Sequence, residues 1–313
     1  MICSIIITIF LTTKHVFGVG VHDSNSLGTS SEGDAWSYSD QRQWGGLCQT
    51  GRSQSPIDLP GICESSGSAK VTVDKALSLT INEDQRSGTL TNTGKTVIFE
   101  PNSPPQQQSL SNRFSDPRAG SVIFSKNINE LFGRQASSSN MFTFEQFHFH
   151  WPAKTNSGSE HAINGVRMAA EIHLVHFNSK YGNLSEAANY NDGLLVIAIF
   201  LHLTSQDNEN LKPITDRLID IQKIDAEITL SFSIKSLLPV NQNTFYVYSG
   251  SLTTPLCEEV VTWIVFDNSI GISQTQLNNF KSLMVEAPGF DTTRNIQPRN
   301  RRIIYASSND QCN

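Results

Sequence analysis

Apolar and polar residues alternate with a period of two along much of this chain, most sharply at 146–151, Gln-Phe-His-Phe-His-Trp. Successive side chains of an extended strand point to opposite faces. Gln146, His148 and His150 therefore share one face, and Phe147, Phe149 and Trp151 the other. Similar short runs at 70–81, 96–100, 141–151, 169–177, 193–204, 245–252 and 260–266 are bounded by Gly, Pro, Asn, Asp or Ser and read as strands. Helical spacing is confined to 211–224 and 271–284. There is no internal repeat and no parallel strand–helix–strand rhythm. The pattern predicts a mostly β (α+β) fold, a single domain around one large, mostly antiparallel sheet with short peripheral helices.

Two stretches break the pattern. Pro, Gln, Ser and Asn crowd residues 101–140, which read as a long surface insertion where only Val122-Ile123-Phe124 and Glu130-Leu131-Phe132 are apolar enough to dock. The end, 307–313, reads as a loose tail. At the start, the apolar run Ile5–Leu11 is too short to span a bilayer and fits the core of a secretory signal over 1–20, although no Lys or Arg precedes it. No other stretch reaches spanning length, so the mature chain is expected to be secreted and to have no membrane span.

Composition narrows the partners. With 38% hydrophobic and 17% charged residues the chain is ordinary globular protein, and a net charge of −6 without any basic patch argues against nucleic acid. Of five cysteines, removal of the first twenty residues leaves Cys48, Cys63, Cys257 and Cys312, an even number suited to an oxidising compartment. Four cysteines allow three pairings. Asn183-Leu184-Ser185 is an N-glycosylation triplet.

The imidazole face of 146–151 needs a reason, because two buried histidines side by side are costly unless something binds them. Residues 169–177 supply one. There Glu171, His173 and Val175 share a face, and pairing with the 146–151 strand would bring His173 to His148 and His150. Three neutral imidazoles are a ligand set for catalytic zinc, with the fourth tetrahedral position left for water. Gln146 and Glu171 stand ready to accept the outer ring N–H groups and so fix tautomer and direction. His176 falls on the other face and reads as structural. His161 is assigned to a loop or strand edge.

From about Trp36 to Tyr305 the chain resembles the α-class carbonic anhydrases, of secreted type. The likeness rests on WSYSDQRQW, GRSQSPIDLP, QFHFHW, GSEHAINGVRMAAEIHLVHFNSKYG, DGLLVIAIFL, SGSLTTPLCEEVVTWIV and QPRNRR, in that order. The resemblance implies a ten-stranded, largely antiparallel twisted sheet over 21–306. It also implies Zn2+ as cofactor and reversible hydration of carbon dioxide to bicarbonate by attack of zinc-bound hydroxide. It makes His148, His150 and His173 the zinc ligands. Thr253 is implied to accept from the hydroxide and donate to Glu160, and Thr254 to contact bicarbonate. Val175, Val196, Leu252, Val261 and Trp263 are implied to form the apolar wall for carbon dioxide, and Tyr38 to order cleft water.

The resemblance also implies a Cys48–Cys257 disulfide bracing the loop that carries the threonines. Cys63 and Cys312 remain for each other or for a second chain, and the oligomeric state stays open. Lys95 falls where fast relatives place a proton-relaying histidine, and an amine of pKa about 10.4 is a poor relay. Relatives have two prolines after the threonines; here Leu256 follows Pro255. A cis bond before a non-proline residue costs about 2.5–4 kcal/mol, so a trans or rearranged turn is expected. The rival reading is a secreted binding or biomineral-matrix protein with this fold and weak or no catalysis. Such proteins usually lose a zinc histidine, and none is missing here.

Overall fold

The computed structural model describes residues 36–62, 71–74, 76–82, 85–102, 121–125, 128–133 and 141–307. The expected signal at 1–20, Cys63, Cys312 and most of the 101–140 insertion lie outside them. Fifteen strands appear among the described residues. The first half holds β1 (Asp58–Leu59), β2 (Val71–Asp74), β3 (Leu79–Asn82), β4 (Gln85–Asn92), β5 (Val97–Pro101), β6 (Ser121–Phe124) and β7 (Met141–His150). Then follow β8 (Ala162–Ile163), β9 (Ala170–Asn178), β10 (Leu194–Thr204), β11 (Glu227–Ser233) and β12 (Phe245–Gly250). The last are β13 (Val261–Phe266), β14 (Ile270–Ser273) and β15 (Ile304–Ser307).

Ten strands form one continuous path, β11-β4-β5-β7-β9-β10-β13-β12-β15-β2, and β3, β6 and β14 join it laterally to make thirteen. Most contacts are antiparallel, but β10 runs parallel to both β13 and β14, and β15 parallel to β2. Helices are short. The central strands are apolar on both sides because both faces of the sheet are covered. On β10, Leu195, Ile197, Ile199 and Leu201 enter the larger core, while Leu194, Val196, Ala198 and Phe200 enter a second core on the opposite face. Phe147, Phe149 and Trp151 belong to the larger core, as their spacing predicts.

Several expectations change. The 70–81 run splits into β2 and β3 because Asp74 makes a turn, its side chain accepting the Ala76 N–H at 3.0 Å and its carbonyl the Leu77 N–H at 3.0 Å. The helix expected at 211–224 is two short pieces, Lys212–Thr215 and a 3-10 turn Leu218–Ile221, which still bury Leu211, Ile214, Leu218 and Ile221. The helix expected at 271–284 spans Gln274–Lys281, because Ser273 caps it in a reciprocal box with Gln276 while Gly271 and Ile272 pair with β10. Within the insertion, the Val122–Phe124 segment docks as β6, and Leu131 and Phe132 pack on the core. Ser307 is not tail but the end of β15, its hydroxyl accepting the Phe245 N–H at 2.9 Å.

Candidate metal centre

Strand register brings the histidines together. His148 on β7 lies opposite His173 on β9, and His150 opposite Glu171. The three imidazoles have ring centroids 5.1, 5.2 and 4.5 Å apart, and one nitrogen of each lies within 4.8 Å of the others. Each outer nitrogen is engaged. His148 Nδ1–H donates to Gln146 Oε1 (2.9 Å), His150 Nδ1–H to the Thr292 carbonyl (2.6 Å) and His173 Nε2–H to Glu171 Oε1 (2.6 Å). That fixes which nitrogen faces inward: Nε2 of His148 and His150, and Nδ1 of His173.

Burial favours the neutral form of His148 and His173. Burial, then the neighbouring His150 and His173, hold the His148 imidazole well below its ordinary pKa; burial and His150 lower that of His173. Burial alone would raise the Glu171 carboxyl, but His161 and His173 reverse this and hold it well below the usual carboxylate range. Glu171 is therefore an anion locked behind a metal-ligand candidate. Neutral imidazoles with inward lone pairs are the donor chemistry zinc takes, so the residues fit the ion. A fully buried neighbour adds to the fit. Glu160 Oε1 accepts the Arg294 N–H at 2.6 Å, while Oε2 has no hydrogen-bond partner and lies 3.5 Å from His150 Nε2.

The histidines sit in a cavity of about 620 Å³, including its open mouth, walled by Tyr38, Thr96, Gln146, Val175, Leu194, Val196, Leu252, Thr253, Thr254 and Trp263. Most of the expected residues are thus brought together. Val261 is not on this wall: it is fully buried in the second core, and its parallel partner Leu194 takes the lining position. The bond expected from Thr253 to Glu160 is not formed, since Glu160 Oε2 is unpartnered. Tyr38 is buried, and burial together with the Glu160 charge raises its phenol well above the usual value.

Lys95 does not line the cavity either. Its ammonium pairs with Glu286 at 2.6 Å, lies 5.0 Å from the Trp36 ring centroid, and borders a small side pocket with Tyr38, Phe290 and Asp291. Thr96, the next residue, takes the cavity position. Cys48 and Cys257 are bonded, as the resemblance implies. The Pro255–Leu256 peptide is cis, contrary to expectation. Local preference yields there to a loop held by the disulfide, by Cys257 N–H to the Thr254 carbonyl (2.9 Å) and by Leu252 N–H to the Glu258 carbonyl (3.0 Å). Ser55–Pro56 is cis as well.

His161 is the residue most underestimated from sequence. It is fully buried, its Nδ1–H donates to Glu171 Oε1 at 2.7 Å, and its Nε2 meets the Tyr248 hydroxyl at 2.7 Å. Its backbone N–H also donates to Glu171 Oε2 at 2.8 Å, so His161 saturates the carboxylate behind His173. Thr292 and Arg294 were also not foreseen. A backbone carbonyl carries no sequence signal, and Arg294 sits far along the chain in an irregular segment. The guanidinium of Arg294 donates to the Ser55 and Cys48 carbonyls, and burial lowers its pKa to about 10. His176 is structural, its ring 5.6 Å from that of Phe144.

Known proteins bear on this geometry. The sequence model of the eukaryotic-type carbonic anhydrase family matches residues 39–308. Carbonic anhydrase 1 of Oryctolagus cuniculus is 37% identical over 177 residues, 54% of this chain and 74% of that protein. Carbonic anhydrase 7 of Mus musculus is 38% identical over 174 residues, 53% of this chain and 65% of that protein.

Proposed function

Since the chain belongs to the eukaryotic-type carbonic anhydrase family, we propose that it is a zinc enzyme whose own residues carry out the reversible hydration of carbon dioxide to bicarbonate and a proton. The observation that carries this reading is the convergence of His148, His150 and His173, each with its outer N–H engaged, inside an apolar-walled cavity. Zinc, when bound, supplies a Lewis acid that lowers the pKa of water from 15.7 to about 7, the value measured for carbonic anhydrase itself.

The protein's part is holding, orienting and excluding. Three uncharged ligands leave the metal's full positive charge to act on water, where a thiolate or carboxylate ligand would offset it. Val175, Leu194, Val196, Leu252 and Trp263 offer a non-polar substrate contact area without coordinating it. Thr253 lines the same cavity, and the unpartnered Glu160 Oε2 is suited to accept its hydroxyl proton, which would aim the threonine oxygen as an acceptor. Thr254 is placed to hydrogen-bond the product anion, and Tyr38 to order water beside it.

Proton export is the weak step. Release from a group of pKa about 7 straight to water is limited to roughly 10³ s⁻¹, taking recombination near 10¹⁰ M⁻¹s⁻¹. Lys95, turned to Glu286 and Trp36, offers no relay. Turnover in weak buffer is therefore expected to rise with added imidazole and to be unchanged in Lys95→Ala; stopped-flow hydration rates check both. We also place the protein outside the cell, a reading supported by the Ile5–Leu11 run and by a disulfide that favours an oxidising compartment.

The deciding experiment combines zinc content with carbon dioxide hydration. The purified chain should hold one equivalent of zinc and hydrate carbon dioxide, and His148→Ala should lose both. A zinc-loaded, folded chain without hydration would overturn the enzyme reading in favour of a binding or matrix protein.

A further inference from the structure

The Asn183-Leu184-Ser185 triplet is a motif that the proposed reaction does not use. Asn183 follows Gly182, whose φ of 81° turns the chain, and stands in extended backbone just before the helix Leu184–Ala187. Its carboxamide is divided between two tasks. Oδ1 accepts the Glu186 N–H at 2.9 Å and caps the helix. Nδ2 has no hydrogen bond among the described residues, on a side chain exposed to solvent.

The surroundings are open. Gly182, Ser185, Glu186, Asn189 and Tyr190 are all exposed, and behind them the Tyr181 and Tyr190 rings stack at 4.1 Å and hold the turn in place. A bulky substituent on Nδ2 would meet solvent, not protein.

We propose that Asn183 is an N-glycosylation site, modified when the chain is exported; this rests on the extracellular reading above. The donor is an oligosaccharide activated as a lipid-linked diphosphate. The Nδ2–carbon bond to the anomeric carbon forms, the carbon–oxygen bond to the diphosphate breaks, and the lipid diphosphate leaves with that electron pair. Nδ2 gives up one proton to base. The carbonyl Oδ1 is untouched, so the helix cap survives the modification. The face around Asn183 stays in solvent and is excluded from any subunit interface.

The test is to secrete the full chain from a eukaryotic host, once with its own N-terminus and once behind a host signal sequence, and to map residue 183 by mass spectrometry before and after enzymatic glycan release. Ser185→Ala removes the triplet and leaves the Asn183 cap; Ser185→Thr keeps both. The wild type and Ser185→Thr should carry the glycan, Ser185→Ala should lose it completely, and zinc content should be equal in all three. Unmodified Asn183 in material exported behind the host signal would overturn the site. Retention inside the cell of the chain with its own N-terminus, while residue 183 is modified behind the host signal, would overturn the extracellular reading and leave the site standing.

Discussion

At the scale of single residues, each histidine is positioned by a second group that takes its outer proton. Gln146 has no other task of this kind than holding His148. Gln146→Ala is therefore expected to weaken zinc binding by about 10–100-fold while leaving the protein folded; competition with a chromophoric chelator measures it. The same burial sets a pH dependence. His148 and His173 have folded pKa values below the unfolded value of about 6.5. In that window the unfolded chain binds more protons than the native one, so stability falls as pH falls. Zinc-free protein should then show its full urea midpoint above about pH 6.5 and lose part of it as pH drops through the folded values. Glu171 is also depressed, but its ordinary range lies lower and adds nothing in this window. A midpoint unchanged between neutral and mildly acid pH would contradict the neutral-imidazole account. The ligand trio and two of its three acceptors were legible because they share strands with a period-two pattern. The third acceptor was not, because the Thr292 carbonyl belongs to backbone.

At the scale of elements, the central strands were readable because both of their faces are buried and their runs are correspondingly apolar. The central runs ending in β7, β9, β10, β12 and β13 match their predicted limits within a residue or two. β4 and β11 were missed. β4 opens on the polar Gln85-Arg86-Ser87. Glu227–Ser233 does alternate, with Ile228, Leu230 and Phe232 on one face of an edge strand and Glu227, Thr229, Ser231 and Ser233 on the other, a period-two signal that was legible and overlooked. Helix limits followed capping, not hydrophobicity. Ser273 Oγ accepts the Gln276 N–H at 3.0 Å, and Gln276 Oε1 accepts the Ser273 N–H at 3.3 Å. Losing that box in Ser273→Ala should cost about 1 kcal/mol and lower Tm by roughly 2–4 °C, without change in zinc content. Calorimetry on the zinc-loaded protein checks it.

At the scale of the molecule, one covalent bond ties the ends of the fold to its site. Cys48 precedes the Ser55–Pro56 turn, and Cys257 closes the loop bearing Thr253 and Thr254. The Cys48 carbonyl also accepts from Arg294, whose N–H holds Glu160. The bridge therefore closes the threonine loop directly and is linked to the carboxylate through Arg294. It joins residues 209 apart in sequence, and bridging so long a loop typically stabilises by about 2–5 kcal/mol. Cys48→Ala with Cys257→Ala should lower the urea midpoint accordingly and reduce kcat/KM for hydration, with zinc retained. Equal kcat/KM in the two proteins would mean that the loop's own hydrogen bonds suffice.

The pairing of β7 with β9 slips between Phe144 and Gln146, so that Phe144 faces His176 and Gln146 faces Val175, one step on. Counting back by twos from His150 would put Phe144 among the imidazoles, yet its ring lies in the larger core with Phe147. Glu145 is the surplus residue that reconciles the two halves. The strand thus contains its own slack: shortening it by that one residue would straighten the ladder and still leave every aromatic ring inside and every imidazole where it is. A one-residue shortening of β7 on the amino side of the slip can be absorbed there before it reaches the histidines.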